Sequence, residues 1–192
     1  IGSDAILVDG IRNELVRVEA ATGRMKWRLP VDEPFAEPIV LSRKIIVPLT
    51  TGQLLEVNPD DGRSTRRVTL PQPLQAAPGT DSQRPVLYVA CEHSNLYVLS
   101  EDTLECEEVF YLGHAPGTVD VPPVASMGHV LVVENAGADY SRLHVVATDA
   151  SGLSLRRAQE PIRLQGHVVV APARVGRRVI IVTNLGAIYL FE

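Results

Sequence analysis

Apolar residues in this chain come in pairs of short bursts separated by turns, and the pair recurs five times. The second burst of each pair is Leu-x-x-Val or a close variant, at residues 15–18, 54–57, 96–99, 143–146 and 187–190; their last residues are 39, 42, 47 and 44 positions apart. The first bursts, at 5–8, 45–47, 86–90, 130–133 and 179–182, are unbroken and rich in Val and Ile. Runs this short, bounded by Gly, Asn or Asp, predict strands covered on both faces. Four copies are led by a segment carrying Pro38, Pro78, Pro122 and Pro123, or Pro172. Proline has no ladder donor, so these segments predict edge strands or the turns just before them. A full copy therefore reads as edge, buried, half-buried and outer strand.

No stretch of ten or more residues carries a 3.6-residue amphipathic period, and helix start signals are lacking. The expected class is all-β, and a repeat of this length built of four-stranded units predicts a β-propeller of antiparallel blades, each burying its neighbour's apolar face. The copies fall at about 1–34, 35–73, 74–117, 118–166 and 167–192. Counted by copy they predict three, four, four, four and three strands, eighteen in all. Four to five blades with both terminal copies incomplete predict a propeller fragment, part of a larger ring, or else one small domain with irregular terminal blades.

Composition narrows the function. With 45% hydrophobic and 21% charged residues the chain has the make-up of a globular domain, and no run approaches the roughly 18 apolar residues of a membrane-spanning helix. A net charge of -5 and only five Tyr, three Phe and one Trp disfavour nucleic acid, which needs a concentrated basic face and stacking platforms. The acidic run Glu101, Asp102, Glu105, Glu107 and Glu108, and the basic groups Arg63, Arg66, Arg67 and Arg156, Arg157, Arg163, read as solvated outer-strand charge that guards exposed edges. The five histidines are scattered without metal-ligand spacing. Asn58-x-Asp60-x-Gly62 has its glycine one place early for a calcium loop and Thr69 at the twelfth position, so it reads as a hairpin turn.

The first copy carries a family resemblance. Val16-Arg17-Val18-Glu19-Ala20-Ala21-Thr22-Gly23-Arg24-Met25-Lys26-Trp27-Arg28 resembles the pyrroloquinoline-quinone (PQQ) type propeller repeat: a strand, a turn at Thr-Gly-Lys, then a tryptophan opening the outer strand. In that family the tryptophan stacks on a peptide of the turn and docks adjacent blades. The resemblance thus implies a structural blade-docking role for Trp27, with Gly23 and Gly62 as turn glycines. The second copy keeps the turn but has Arg66 in place of the tryptophan; the third lacks the glycine, and the fourth keeps only Thr148-Asp149-Ala150-Ser151-Gly152. The resemblance also implies a bacterial periplasmic or cell-envelope location.

A quinone-dependent dehydrogenase would need carboxylates and an amide around Ca²⁺, and many such enzymes resemble one another in a pair of adjacent cysteines. Here Cys91 and Cys106 are 15 positions apart. They are placed on the buried and outer strands of the third copy, two strand spacings or about 9–10 Å apart, beyond the roughly 7 Å Cα limit of a disulfide. Two free thiols are expected, and neither PQQ nor Ca²⁺ is expected as a cofactor. No Ser, His and Asp set has the local context of a catalytic site, and no catalytic, cofactor-binding or metal-binding residue is nominated.

The longest departure from the rhythm is 134–142, read as an insertion loop with Asp139, Tyr140 and Arg142 as candidate partner contacts. The segment 113–117 reads as an interblade connector. The expected function is a non-catalytic scaffold holding a protein partner. The alternatives are a fragment of a quinone-dependent oxidoreductase and a propeller binding a small ligand or carbohydrate.

Overall fold

The computed structural model describes residues 4–114 and 117–192; Ala115 and Pro116 of the expected connector lie outside the described residues. Those residues hold nineteen strands and no helix. They divide into two compact units, Ile1–Ala77 and Pro78–Glu192.

In the first unit, β1 (Asp4–Asp9), β2 (Glu14–Glu19) and β3 (Met25–Pro30) form one antiparallel meander, and β4 (Ile39–Val40), β5 (Ile45–Leu49), β6 (Gln53–Val57) and β7 (Ser64–Thr69) a second. Leu15 and Trp27 of the first sheet bury against Ile45, Val47, Leu55 and Val57 of the second, so the two sheets pack face to face.

The second unit has three sheets. β8 (Gly79–Thr80), β9 (Val86–Cys91), β10 (Asn95–Ser100) and β11 (Cys106–Tyr111) make the third. β12 (Val124–Ser126), β13 (His129–Ala136), β14 (Tyr140–Thr148), β15 (Leu155–Arg157) and β16 (Ile162–Gln165) make the fourth. β17 (Ala173–Val175), β18 (Arg178–Val182) and β19 (Ile188–Phe191) make the fifth. The unbroken apolar run of β13 is explained by its period of two. Val130 and Val132 bury with Val86, Tyr88, Leu96 and Val98 of the third sheet. Leu131 and Val133 bury with Val179 and Ile181 of the fifth.

The prolines end where ladders begin. Pro38, Pro78, Pro123 and Pro172 each stand immediately before β4, β8, β12 and β17, so none has to donate to a neighbouring strand.

A feature the sequence does not announce repeats with the copies. The pairing to the outer strand slips by one residue between Arg17 and Val18, Glu56 and Val57, and Val98 and Leu99, which is the last step of the Leu-x-x-Val frame each time. The slip leaves Lys26, Thr65 and Glu107 as extra residues on their strands, and such a bulge bends the strand and raises its twist. The turn that follows the frame is also shared: the amide of Gly23 donates to Glu19 O at 2.8 Å, that of Gly62 to Asn58 O at 2.9 Å and that of Leu104 to Ser100 O at 2.8 Å. Gly23 and Gly62 have φ of 72°, and Leu104 takes φ of 56° where the third copy lacks its glycine.

The fourth sheet departs from expectation. Its outer strand is broken into β15, which pairs with one end of β14, and β16, which pairs with the other, giving nineteen strands rather than eighteen. The segment 134–142 is not a loop. Glu134, Asn135 and Ala136 extend β13 and pair with Arg142, Ser141 and Tyr140 of β14, leaving only Gly137, Ala138 and Asp139 in the turn. Polar residues inside the ladder, which read as loop composition, are held there by buried partners.

Candidate functional site

The strongest structural chemistry lies where a strand of one sheet grips the turn of the next. In the first unit the turn 58–62 presents the carbonyl of Pro59 to two donors of the first sheet: Trp27 Nε1 at 2.7 Å, and Arg17 Nη1 in a very short contact. The indole ring lies over Gly62, where a Cβ would fall 2.7 Å from Trp27 Cδ2. Arg17 is itself held by Asp4, which accepts from Arg17 Nε at 2.7 Å and from Lys26 Nζ at 2.7 Å. The hydrogen bond from Lys26 and the charge and hydrogen bond of Arg17 hold the Asp4 carboxyl below the usual carboxylate range, against the opposing effect of burial.

Gly62 is thus constrained twice, by φ and by the ring, whereas a Cβ on Gly23 would meet nothing within 4 Å. Gly23→Ala is expected to cost about 1–2 kcal/mol, the price of a left-handed residue with a side chain. Gly62→Ala should cost clearly more, because Trp27 must move, and denaturant unfolding of the two variants side by side measures the difference.

The second unit uses other residues in the same arrangement. Glu108 occupies the register position of Trp27, opposite Val98 as Trp27 is opposite Arg17, and its Oε2 accepts from the Leu155 amide at 3.0 Å just past the turn of the fourth copy. Tyr88 OH donates to Gly152 O at 2.9 Å, and Arg84 Nη1 to Thr148 Oγ1 at 2.9 Å and Asp149 O at 3.1 Å. Burial, aided by Asp81, pushes the Tyr88 phenol up to about 12, so it stays a donor at physiological pH.

Two buried polar centres on β13 tie the fourth sheet to both neighbours. Glu134, 1% exposed, accepts from Ser94 Oγ at 2.9 Å through Oε1, and at Oε2 from Arg142 Nε at 3.0 Å and Nη2 at 2.9 Å. Its Oε2 also lies 3.0 Å from His144 Nε2. Burial alone would raise the Glu134 pKa, but hydrogen bonds from His144, Ser94 and Arg142, with the Arg142 charge, bring it below the ordinary value. Asn135 is the second centre: its Nδ2 donates to Asp120 Oδ2 at 2.8 Å and Val168 O at 2.9 Å, while Oδ1 accepts from Ser141 Oγ and from the Val168 amide.

Ser94, His144 and Glu134 are the residue types of a hydrolytic triad, but their order is wrong for one. Serine and histidine both meet the carboxylate, and a nucleophile needs its base on the hydroxyl. The cluster acts as a clasp between the third and fourth sheets.

The candidate contacts of 134–142 are divided. Arg142 is turned to Glu134, and the Tyr140 ring lies beneath the Arg163 guanidinium at 3.9 Å, packed on Gly137. Asp139 stays on the turn, its carbonyl accepting from the Gly166 amide at 2.6 Å. Cys91 is buried on β9 and Cys106 exposed on β11, both free thiols. Burial, with the Glu92 charge, pushes the Cys91 thiol up to about 12. A disulfide-exchange reagent at about pH 8 should therefore modify Cys106 in a fast phase and Cys91 only as the chain opens, a ratio that stopped-flow absorbance reads directly. Among the described residues no group of three or more His, Cys, Asp or Glu side chains converges as a metal site, and no helix is long and apolar enough to cross a membrane.

Openings in the second unit lie on turns. One, of about 290 Å³, is lined by Asp81 and Arg84 ahead of β9, by Ser126, Met127 and Gly128 at the β12–β13 turn, and by Arg174 and Arg177 around the β17–β18 turn. The sequence singled out none of these residues, since Arg174 and Arg177 lie in different parts of a short hairpin and meet Asp81 and Ser126 only through the fold. Arg17 was equally silent, one charged residue within an otherwise ordinary strand, and Glu134 stood out only as part of the segment 134–142 that reads as a loop.

Five antiparallel meanders, with neighbouring sheets packed face to face within each unit, make the chain an all-β propeller protein. Solved propellers share the fold. The chain is similar to BamB from Moraxella catarrhalis, with a TM-score of 0.71 and 15% identity over 99% of this chain and 58% of that one. It is also similar to Sqt1 from Saccharomyces cerevisiae, with a TM-score of 0.68 and 12% identity over 95% of this chain and 53% of that one. The chain therefore spans just over half the length of these structures. No family model matches it, and no curated protein matches it.

Proposed function

We propose that the chain is a propeller scaffold that holds a protein partner, built from PQQ-type repeats and acting in the bacterial cell envelope without a quinone or Ca²⁺. The observation that carries this is how its polar chemistry is distributed. Arg17, Trp27, Glu134 and Asn135 are occupied with joining one sheet to the next, whereas cationic groups with capacity to spare stand on the turns of the second unit. Repeat assignment rests on the turn and tryptophan of the first copy, and the envelope location on the same resemblance. Propeller rims and turns suit partner binding because rigid sheets hold them in place.

The test is a photo-crosslinking residue at Met127, which is 44% exposed on the β12–β13 turn, compared with one at Thr65 on the outer strand β7. A discrete protein adduct at Met127, absent at Thr65, that binds again when both proteins are purified supports the scaffold. Adducts at neither position, or equal labelling at both, would count against it. An absorbance titration with quinone and Ca²⁺ addresses the oxidoreductase alternative, since a bound chromophore would replace the scaffold with an enzyme fragment.

A further inference from the structure

The opening at the β12–β13 turn is one part of a longer trough. Arg174, Ser82 and Ala125 line it and also a neighbouring depression of about 280 Å³, whose other walls include the half-buried Pro122 and Val124. Arg177 lines it and also a third depression with Val175, Arg178 and Glu192. The hollows thus run together through shared arginines, with an apolar, proline-walled end on the β8 and β12 side and a cationic middle.

The charges in this trough do not cancel. Asp81 lies 3.6 Å from Arg84, and Glu192 is bound to Arg178 at 2.5 Å, so each carboxylate already has its own arginine. Arg174 is held only by neutral acceptors, Ala125 O at 3.1 Å and Ser82 Oγ at 2.9 Å, which fix its direction without neutralising it. Arg177 is exposed and has no hydrogen bond or ion pair among the described residues. Two uncompensated guanidinium groups lining one hollow, in a chain of net charge -5, are a local reversal of sign. An arginine aimed in advance loses little freedom on meeting a carboxylate, and its planar fork matches carboxylate geometry.

We infer that this trough seats an extended acidic segment of a protein partner, with a carboxylate side chain on Arg174 and Arg177 and an apolar side chain against Pro122 and Val124. The inference rests on the scaffold proposal and deepens it by naming the partner's chemistry. An extended peptide is favoured over a small acid because the hollow continues past the arginines in both directions and changes from cationic to apolar along its length.

The experiment uses the full chain and a displayed library of random peptides about ten residues long. Enriched sequences are resynthesised with a fluorescein label and titrated by anisotropy against the unaltered protein, Arg177→Gln and Arg174→Gln. Acidic residues should be enriched at one or two positions. Arg177→Gln should weaken binding about tenfold, the size of one charge-assisted contact, with a weaker response to salt and an unchanged melting temperature. Arg174→Gln should do at least as much.

Enriched peptides without acidic residues, no enrichment at all, or affinity indifferent to both substitutions would overturn the site. Succinate displacing the peptide at equal concentration would overturn the peptide assignment in favour of a small acid. The Met127 crosslink separates these failures from that of the scaffold: a partner captured there whose binding ignores Arg174→Gln and Arg177→Gln sinks only the trough.

Discussion

Trp27→Ala should be among the most destabilising single changes in the chain, costing about 3–5 kcal/mol, the usual range for removing a buried aromatic. Trp27 is 8% exposed, fills the space over Gly62 and satisfies the Pro59 carbonyl, so its loss opens a cavity between the first and second sheets. Trp27→Phe keeps much of the apolar area while losing the indole N–H and part of the ring, and should cost distinctly less than the alanine, because Arg17 still donates to the same carbonyl. Denaturant unfolding followed by circular dichroism measures both; fluorescence does not serve, since this is the chain's one tryptophan. Equal stability of the alanine variant and the unaltered protein would mean that the indole is not joining the sheets.

Glu134→Ala should be comparably severe, for an electrostatic reason. The carboxylate gathers Ser94, Arg142 and His144 at 1% exposure, and removing one partner of a buried charge cluster leaves the others desolvated, a cost of about 3–5 kcal/mol. Ser94→Ala removes one of the carboxylate's donors and leaves the others in place, and should cost less, about 1.5–3 kcal/mol for a hydrogen bond to a charged group. The same carboxylate sets a pH dependence. Its folded pKa lies below its ordinary value of 4.5, so its contribution is fully present above that value and is lost as the pH falls through the lowered one. Glu134→Gln should therefore lose less stability than the unaltered protein as the pH is lowered through 4.5, a comparison made by thermal unfolding at each pH.

The fold was legible because its main device is periodic. Val130 to Val133 face two different sheets and so must all be apolar, which is why the buried strands stand out as unbroken runs. The prolines gave the leading strands because an absent N–H is a property of the residue itself. What escaped was whatever depends on a partner far along the chain. Glu134, Asn135 and Ser141 read as loop because their polarity is balanced by Ser94, Val168 and Gly166, none of them near in sequence. The bulge opposite Val18, Val57 and Leu99 is a difference of register between two strands and leaves no mark on either one alone. Leu104 shows the opposite case: a turn keeps its geometry after losing the glycine that advertised it, with the side chain buried at 1% exposure.

Trp27 was singled out by resemblance, and its surroundings explain the choice of residue. The position opposite the half-buried strand, one step before the register slip, points at the next turn in the third sheet too, where Glu108 reaches the Leu155 amide. An indole can cover a glycine and still donate to a carbonyl; a carboxylate can only accept, and so meets an amide instead. One geometric position is thus served by opposite hydrogen-bonding chemistries, which is why the motif fades between copies while the packing persists.

Strand-to-turn contacts make adjacent sheets stabilise one another. Native-state hydrogen exchange of Trp27→Ala tests this directly, because protection reports local opening sheet by sheet. The expected result is a joint loss of protection in β1–β3 and in β4–β7, including Ile45, Val47 and Leu55 on the far side of the contact. Loss confined to β1–β3, with β4–β7 as protected as before, would contradict it.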